Sequence, residues 1–256
     1  MPPHARMSLA QQLLIRALVA TFWERPYRRP LVRWGTTLHD RFMLPHFIWA
    51  DFESVIDELS GTGMALDARW FLPHFEFRFP VWGTVQREGV SLELRQALEP
   101  WLVLGEQSGA ATRTVDSSLD RAQVIVRGGR PDRYTVTCNG YPLPLAVTAT
   151  TGEAVAGVRF RAWPSVEGFH PTIPPHVPLI FDIVDTWTGR SIGGCRYHAT
   201  HPGGRVFQAL PVNALEAEAR RLARFEPMGH TPGDTAPKTG GVHPDFPLTL
   251  DLRRVP

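Results

Sequence analysis

The chain has 256 residues, 43% hydrophobic and 20% charged, which is long enough to bury a substantial core in one large domain or two small ones and excludes a disordered polypeptide. Its formal net charge of +2 is too small to point to nucleic acid. Lys238 is the only lysine among 27 basic residues, so nearly every cation is a guanidinium, whose planar fork suits carboxylate and phosphate.

Two cysteines, Cys138 and Cys195, make no disulfide framework, and a reducing, cytoplasmic setting is the expectation. The first apolar stretch is interrupted by Gln11, Gln12 and Arg16, which predicts an amphipathic helix over 8–24 with Ser8 as N-cap rather than a signal peptide. Pro26 and Pro30 stop it. No run of 18 apolar residues predicts a membrane span. A second helix is expected from Pro45, closed by Gly61 or Gly63. The alternation of "HFEFRFP" predicts a strand near 74–80, and "VSLELRQAL" a second one after the turn "WGTVQREG".

From about residue 115 short β-type runs such as "AQVIVRGG", "RYTVTCNG", "AVAGVRFRAW", "PLIFDIVDTWTG" and "SIGGCRYHAT" alternate with Gly, Pro and Asn, as in an antiparallel sandwich. One late helix over 212–225 carries Asn213 as N-cap and Glu216 in the reciprocal position. The Gly-, Pro- and Thr-rich tail reads as flexible, with "FPLTLDLRR" as a final strand. The expected fold is α+β: a helical region with antiparallel strands over 1–114, followed by a mainly antiparallel, sandwich-like domain over 115–256.

Two E-x-R triplets carry the first candidate chemistry. Residues i and i+2 of a strand share a face, so Glu76 with Arg78, and Glu93 with Arg95, form two acid–guanidinium pairs. If those strands pair, the four charges make a patch able to hold a divalent cation through the carboxylates and a phosphate through the arginines. The plain alternative is a ladder of cross-strand ion pairs. In "LVRWGTTLHDRFMLPHF", Arg33, His39, Asp40, Arg41 and His46 cluster among aromatics, either as cleft residues with a general base or as ties at a helix end. Cys195, His198 and His201 lack a fourth zinc ligand, and Cys138 and Cys195 open no helix that would activate a thiol. No nucleotide-loop glycine motif occurs. Trp163 and Trp187 are core residues or contacts for a peptide or glycan.

The motifs "SLAQQLLIRALVATFW", "LVRWGTTLHDRFMLPHFIWADF", "HFEFRFP", "LELRQALEPWLVLGE", "CNGYPLPL", "FDIVDTWTGRSIGGCRYHATHPGG" and "DFPLTLDLRR" resemble a bacterial amidoligase family, a domain of unknown function often joined to a transglutaminase-like domain. The resemblance runs along nearly the whole chain and implies a glutamine-synthetase-like carboxylate–amine ligase, of which this chain looks like the C-terminal portion. It implies ATP and magnesium, with a partial glutamine-synthetase-like sheet in the first region. In that family's fold a late E-x-R strand binds metal through Glu and phosphate through Arg. This maps onto either Glu76-Arg78 or Glu93-Arg95, and the implied roles are Glu76 and Glu93 as metal ligands, Arg78 and Arg95 as catalytic phosphate clamps that also bind the nucleotide, and Arg33, His39 and Arg41 as accessory cleft residues. The implied partners are a peptide or small-molecule carboxylate substrate and upstream ligase and transglutaminase-like domains, with neither nucleic acid nor membrane. The rival is a non-catalytic sandwich module for binding or scaffolding.

Overall fold

The computed structural model describes residues 4–106, 113–164 and 171–255, apart from the side chains of Glu106 and Arg113. They form two compact units, Met1–Pro80 and Val81–Pro256. The architecture is α+β, with four of the five described α-helices in the first unit and the described strands in the second.

The first unit contains α1 (Ala5–Glu24), α2 (Thr36–Asp40), α3 (Pro45–Gly61) and α4 (Leu72–Arg78), with 3-10 turns at Arg41–Met43 and Ala68–Phe71. Helix α1 starts one turn before the expected Ser8, and its N-cap position, His4, makes no side-chain cap. Pro45 opens α3, where its missing N–H would have been unsatisfied anyway. The helix closes at Thr62–Gly63, where Met64 N–H donates to Leu59 O and Gly63 takes a φ of 92°.

The strand expected at 74–80 is instead α4. Its sequence satisfies two periods at once, because Phe75, Phe77 and Phe79 alternate while Phe71, Phe75 and Phe79 recur every fourth residue. Burial decides between them. Phe71 and Phe79 are buried and Phe77 is 70% exposed. Phe71 packs on Phe52 at 5.0 Å, Phe75 on Trp49 at 5.0 Å, and Phe79 on Phe75 at 5.3 Å between ring centroids. Asp67, whose side chain accepts from Arg69 N–H, and Pro73 in the first turn of α4 start the run.

The second unit runs β1 (Val81–Arg87), β2 (Val90–Gln96), β3 (Leu102–Glu106), β4 (Arg113–Asp116), β5 (Leu119–Gly128), β6 (Tyr134–Cys138), β7 (Tyr141–Pro142), β8 (Ala146–Val147) and β9 (Glu153–Arg161). It continues with β10 (Leu179–Asp185), β11 (Arg190–Tyr197), α5 (Ala214–Leu222), β12 (Phe225–Met228), β13 (Val242–His243) and β14 (Phe246–Asp251). The larger sheet has the order β1-β2-β5-β9-β14-β13, with β8 also on β9, and the smaller β12-β11-β10-β6-β7. All pairs are antiparallel except β9 with β14. Because β2 pairs β5, residues 81–96 belong to the same body as the strands after 115, and the units part at Pro80 rather than near 114.

One apolar core lies between the two sheets, built from Leu92, Val124, Val158 and Phe160 on one side and Val136, Phe181, Ile183 and Cys195 on the other. Trp82 and Tyr197 stack across it at 3.8 Å. The close approach of β10 requires glycine at 194, where a Cβ would fall 1.8 Å from Phe181 O. Helix α5 has the expected capping pair, since Asn213 Oδ1 accepts from Glu216 N–H at 2.9 Å and the Glu216 carboxylate from Val212 N–H at 2.8 Å. The tail read as flexible is tied to the sandwich: Thr235 N–H donates to Gly189 O and Lys238 N–H to Gly140 O.

Candidate functional site

Strand parity builds the site. On β2, Leu92 and Leu94 are buried in the core, so Glu93 and Arg95 take the opposite face. The same alternation puts Arg121, Gln123 and Arg127 of β5 on that face, opposite Ala122 and Val124. On β9 it places Glu153 and Arg159 there, and on β14 Thr249 and Asp251. The register brings them side by side: Ser91 faces Arg127, Arg127 faces Glu153, Arg121 faces Arg159, and Arg159 faces Asp251. The outer face of the larger sheet is therefore a charged layer.

Two chains of ion pairs cross it. In the first, Glu93 accepts from Arg95 Nε at 3.3 Å and from Arg127 Nη1 at 3.1 Å, and Arg127 Nε also donates to Glu153 at 2.8 Å. In the second, Glu99, just past β2, accepts from Arg121 Nε and Arg159 Nε, both at 3.0 Å. Arg159 reaches on to Asp251 at 3.6 Å, and Asp251 accepts from Arg253 at 2.7 Å. The Arg121 side chain is fully buried and that of Glu99 is 5% exposed, while Arg127 at 43% is the accessible member.

Six guanidiniums (Arg95, Arg121, Arg127, Arg159, Arg253 and Arg254) pair with four carboxylates (Glu93, Glu99, Glu153 and Asp251) in these two chains. Burial alone would raise the Asp251 carboxyl, but the Arg253 hydrogen bond and the Arg253 and Arg159 charges outweigh it and hold the group below its usual value. Burial likewise disfavours charged Arg127, and Glu93 and Glu153 reverse that, raising its pKa. A partly enclosed layer of carboxylate-braced arginines, with Arg127 accessible, is suited to binding a further anion.

The predicted residues divide between the units. Glu93 and Arg95 lie on this face. Glu76 and Arg78 lie on α4, where positions two apart point roughly 200° from each other, so the patch of two paired E-x-R strands does not form. The strand partners of β2 are β1 and β5. Arg78 lines an apolar cavity of about 300 Å³ in the first unit, beside Trp49, Phe52, Phe71 and Phe75. Arg33 and His39 are exposed, and Asp40 between His39 and Arg41 is buried. The Arg41 guanidinium sits 4.5 Å from the Phe47 ring centroid, which fits a packing role.

Magnesium does not fit the described residues. Glu93 already accepts from two arginines, Glu76 belongs to α4, and no group of three or more His, Cys, Asp or Glu able to hold a metal occurs among the described residues. Cys195 is buried in the core, His198 lies 3.7 Å from Glu226, and His201 accepts from Gly203 N–H, so these three share no centre. Burial raises the thiol pKa of both cysteines, which disfavours the nucleophilic thiolate.

Sequence reasoning missed Glu99, Arg121, Arg127, Glu153, Arg159, Asp251 and Arg253. For Arg121, Arg127, Glu153 and Arg159 the signal was charge at alternate positions inside otherwise apolar strands, in "LDRAQVIVR" and "EAVAGVRFR"; Glu99 and Arg253 lie outside the strands and carried none. Among the described residues no helix is long and apolar enough to cross a membrane. A family model described as "Putative amidoligase enzyme", a domain of unknown function, matches residues 1–253. No curated protein and no solved structure matches the chain.

Proposed function

Because the chain belongs to this amidoligase family, a family named for ligase-type enzymes, we propose that it works as the C-terminal part of an ATP-dependent carboxylate–amine ligase acting on a peptide or amino-acid-like carboxylate. The supporting observation is the charged face of the larger sheet, where β2 sets Glu93 and Arg95 among four further arginines. In such a ligation a carboxylate becomes an acyl phosphate, an amine attacks it, and an amide and phosphate result. Arg95 and Arg127 would bind the phosphoryl oxygens as negative charge accumulates on them. Glu93, held by both arginines, fixes the direction of their N–H groups, and a donor already in place needs no reorganisation during reaction. The described acids give a metal no site, so this chain's contribution is anion binding.

Calorimetric titration of ATP, in magnesium and in EDTA, tests the reading. Binding is expected in both, weakened about tenfold by Arg95→Gln, the loss of one charge-assisted hydrogen bond. Glu93→Gln is expected to weaken it less. No nucleotide heat at millimolar ATP overturns the proposal.

The mutual pairing of Glu93 with Arg95 and Arg127 favours a second reading, a non-catalytic sandwich module in which these pairs brace the sheet. Under it, Arg95→Gln lowers the melting temperature and the chain has no affinity for nucleotide.

A further inference from the structure

A cavity of about 640 Å³ opens among the turns at one end of the sandwich, within the range of small-ligand sites. Four segments of the second unit meet there. The β1–β2 turn contributes Glu88, whose φ of 44° is left-handed. The β5–β6 loop contributes Arg133, the β10–β11 hairpin Asp185, Thr188 and Arg190, and the segment after β12 His230.

The two acids of this cavity are engaged to different degrees. Asp185 accepts from Arg133 Nη2 at 2.7 Å and Nε at 3.1 Å and from Trp187 N–H at 2.9 Å, and the Arg133 hydrogen bond leads the effects that hold its carboxyl below the ordinary value. Glu88 accepts a single bond, from the Tyr134 hydroxyl at 3.2 Å. Arg190 and His230 line the same cavity and have no hydrogen-bond or ion-pair partner among the described residues. Arg190 stands opposite Asp185 in the hairpin register, so its direction is set by a paired strand rather than a free loop. The site thus offers a guanidinium fork and an imidazole without acceptors, and beside them a carboxylate with acceptor capacity to spare.

We propose that this cavity binds the C-terminal carboxylate of a short peptide. The Arg190 fork takes the carboxylate in a bidentate pair, His230 supplies a further donor, and Glu88 accepts the terminal amide N–H. A phosphate would meet the same cations but carries more negative charge against Glu88 than a carboxylate does, has no amide N–H for Glu88 to accept, and would fill only a small part of the space. A peptide terminus carries both an acceptor and a donor and matches the pattern. None of these residues lies on the charged face of the larger sheet, so the assignment stands whether or not the ligase reading does.

Calorimetry on the full chain with N-acetyl-dialanine, its C-terminal amide and inorganic phosphate tests it. The free acid is expected to bind. The amide should bind about tenfold more weakly, the loss of one charged contact, and phosphate should give no heat. Arg190→Gln is expected to lower affinity for the acid about tenfold with an unchanged melting temperature, and His230→Gln lowers it by a smaller factor. Equal affinity for acid and amide, wild-type affinity in Arg190→Gln, or no heat from the acid at millimolar concentration overturns the proposal. Phosphate binding without peptide binding does so too.

Discussion

Replacing Glu99 by Gln removes one charge from the centre of the second ion-pair chain while keeping the side chain's shape. Glu99 is the shared acceptor of Arg121 and Arg159, both at 3.0 Å, and the Arg121 side chain is fully buried. Removing one partner of a buried pair costs about 3–5 kcal/mol. The low end, about 3 kcal/mol, applies here because Arg159 keeps Asp251 within 3.6 Å. For a unit of this size that corresponds to a fall of roughly 6–12 °C in melting temperature. Circular dichroism at pH 7 measures it, and added salt should change it little because the pair is shielded from solvent. Glu99→Gln combined with Arg121→Met takes out opposite buried charges together and should melt above Glu99→Gln alone. A Glu99→Gln protein melting within about 2 °C of wild type would refute the argument, since that is the size of an ordinary surface change.

The helical assignment of 72–78 is tested by a pair of truncations. Phe71→Ala should cost about 3–5 kcal/mol, as core aromatics do, and Phe77→Ala less than about 0.5 kcal/mol; equal losses on urea unfolding would contradict it. A pH effect follows from His176, whose Nδ1 accepts from Arg161 N–H at 2.8 Å and whose pKa burial pushes below its ordinary value. The folded state then prefers neutral imidazole. Its contribution is full above the unfolded value of about 6.5 and is lost as pH falls through the lower folded value. Melting temperature should therefore drop from pH 7 to pH 5, and less so in His176→Gln; an identical slope in that variant would count against it.

Local signals in the sequence were sufficient for α3, with Pro45 at its start, and for α5, with Asn213 and Glu216 at its cap. Both are decided within a few residues. The α4 segment was misread because Phe75, Phe77 and Phe79 fit a strand as well as Phe71, Phe75 and Phe79 fit a helix. The choice is made by Trp49 and Phe52, some twenty residues away along α3. Glu93 and Arg95 were readable as a shared face, but their partner Arg127 comes from β5, beyond the reach of any spacing rule. The paired-strand patch failed with the α4 misreading: on a helix Glu76 and Arg78 do not share a face.

The parallel pairing of β14 with β9 joins Asp251 to a residue about ninety positions earlier. At synthesis rates of 5–20 residues per second, β9 emerges roughly 5–20 s before the strand that covers its far edge. For that interval Val158 and Arg159 present an open backbone ladder to the cell, the kind of edge that captures stray chains. A nascent protein stalled before Asp251 would carry that exposed seam for as long as the ribosome waits, and the pairing of residues 249–251 with 157–159 seals it.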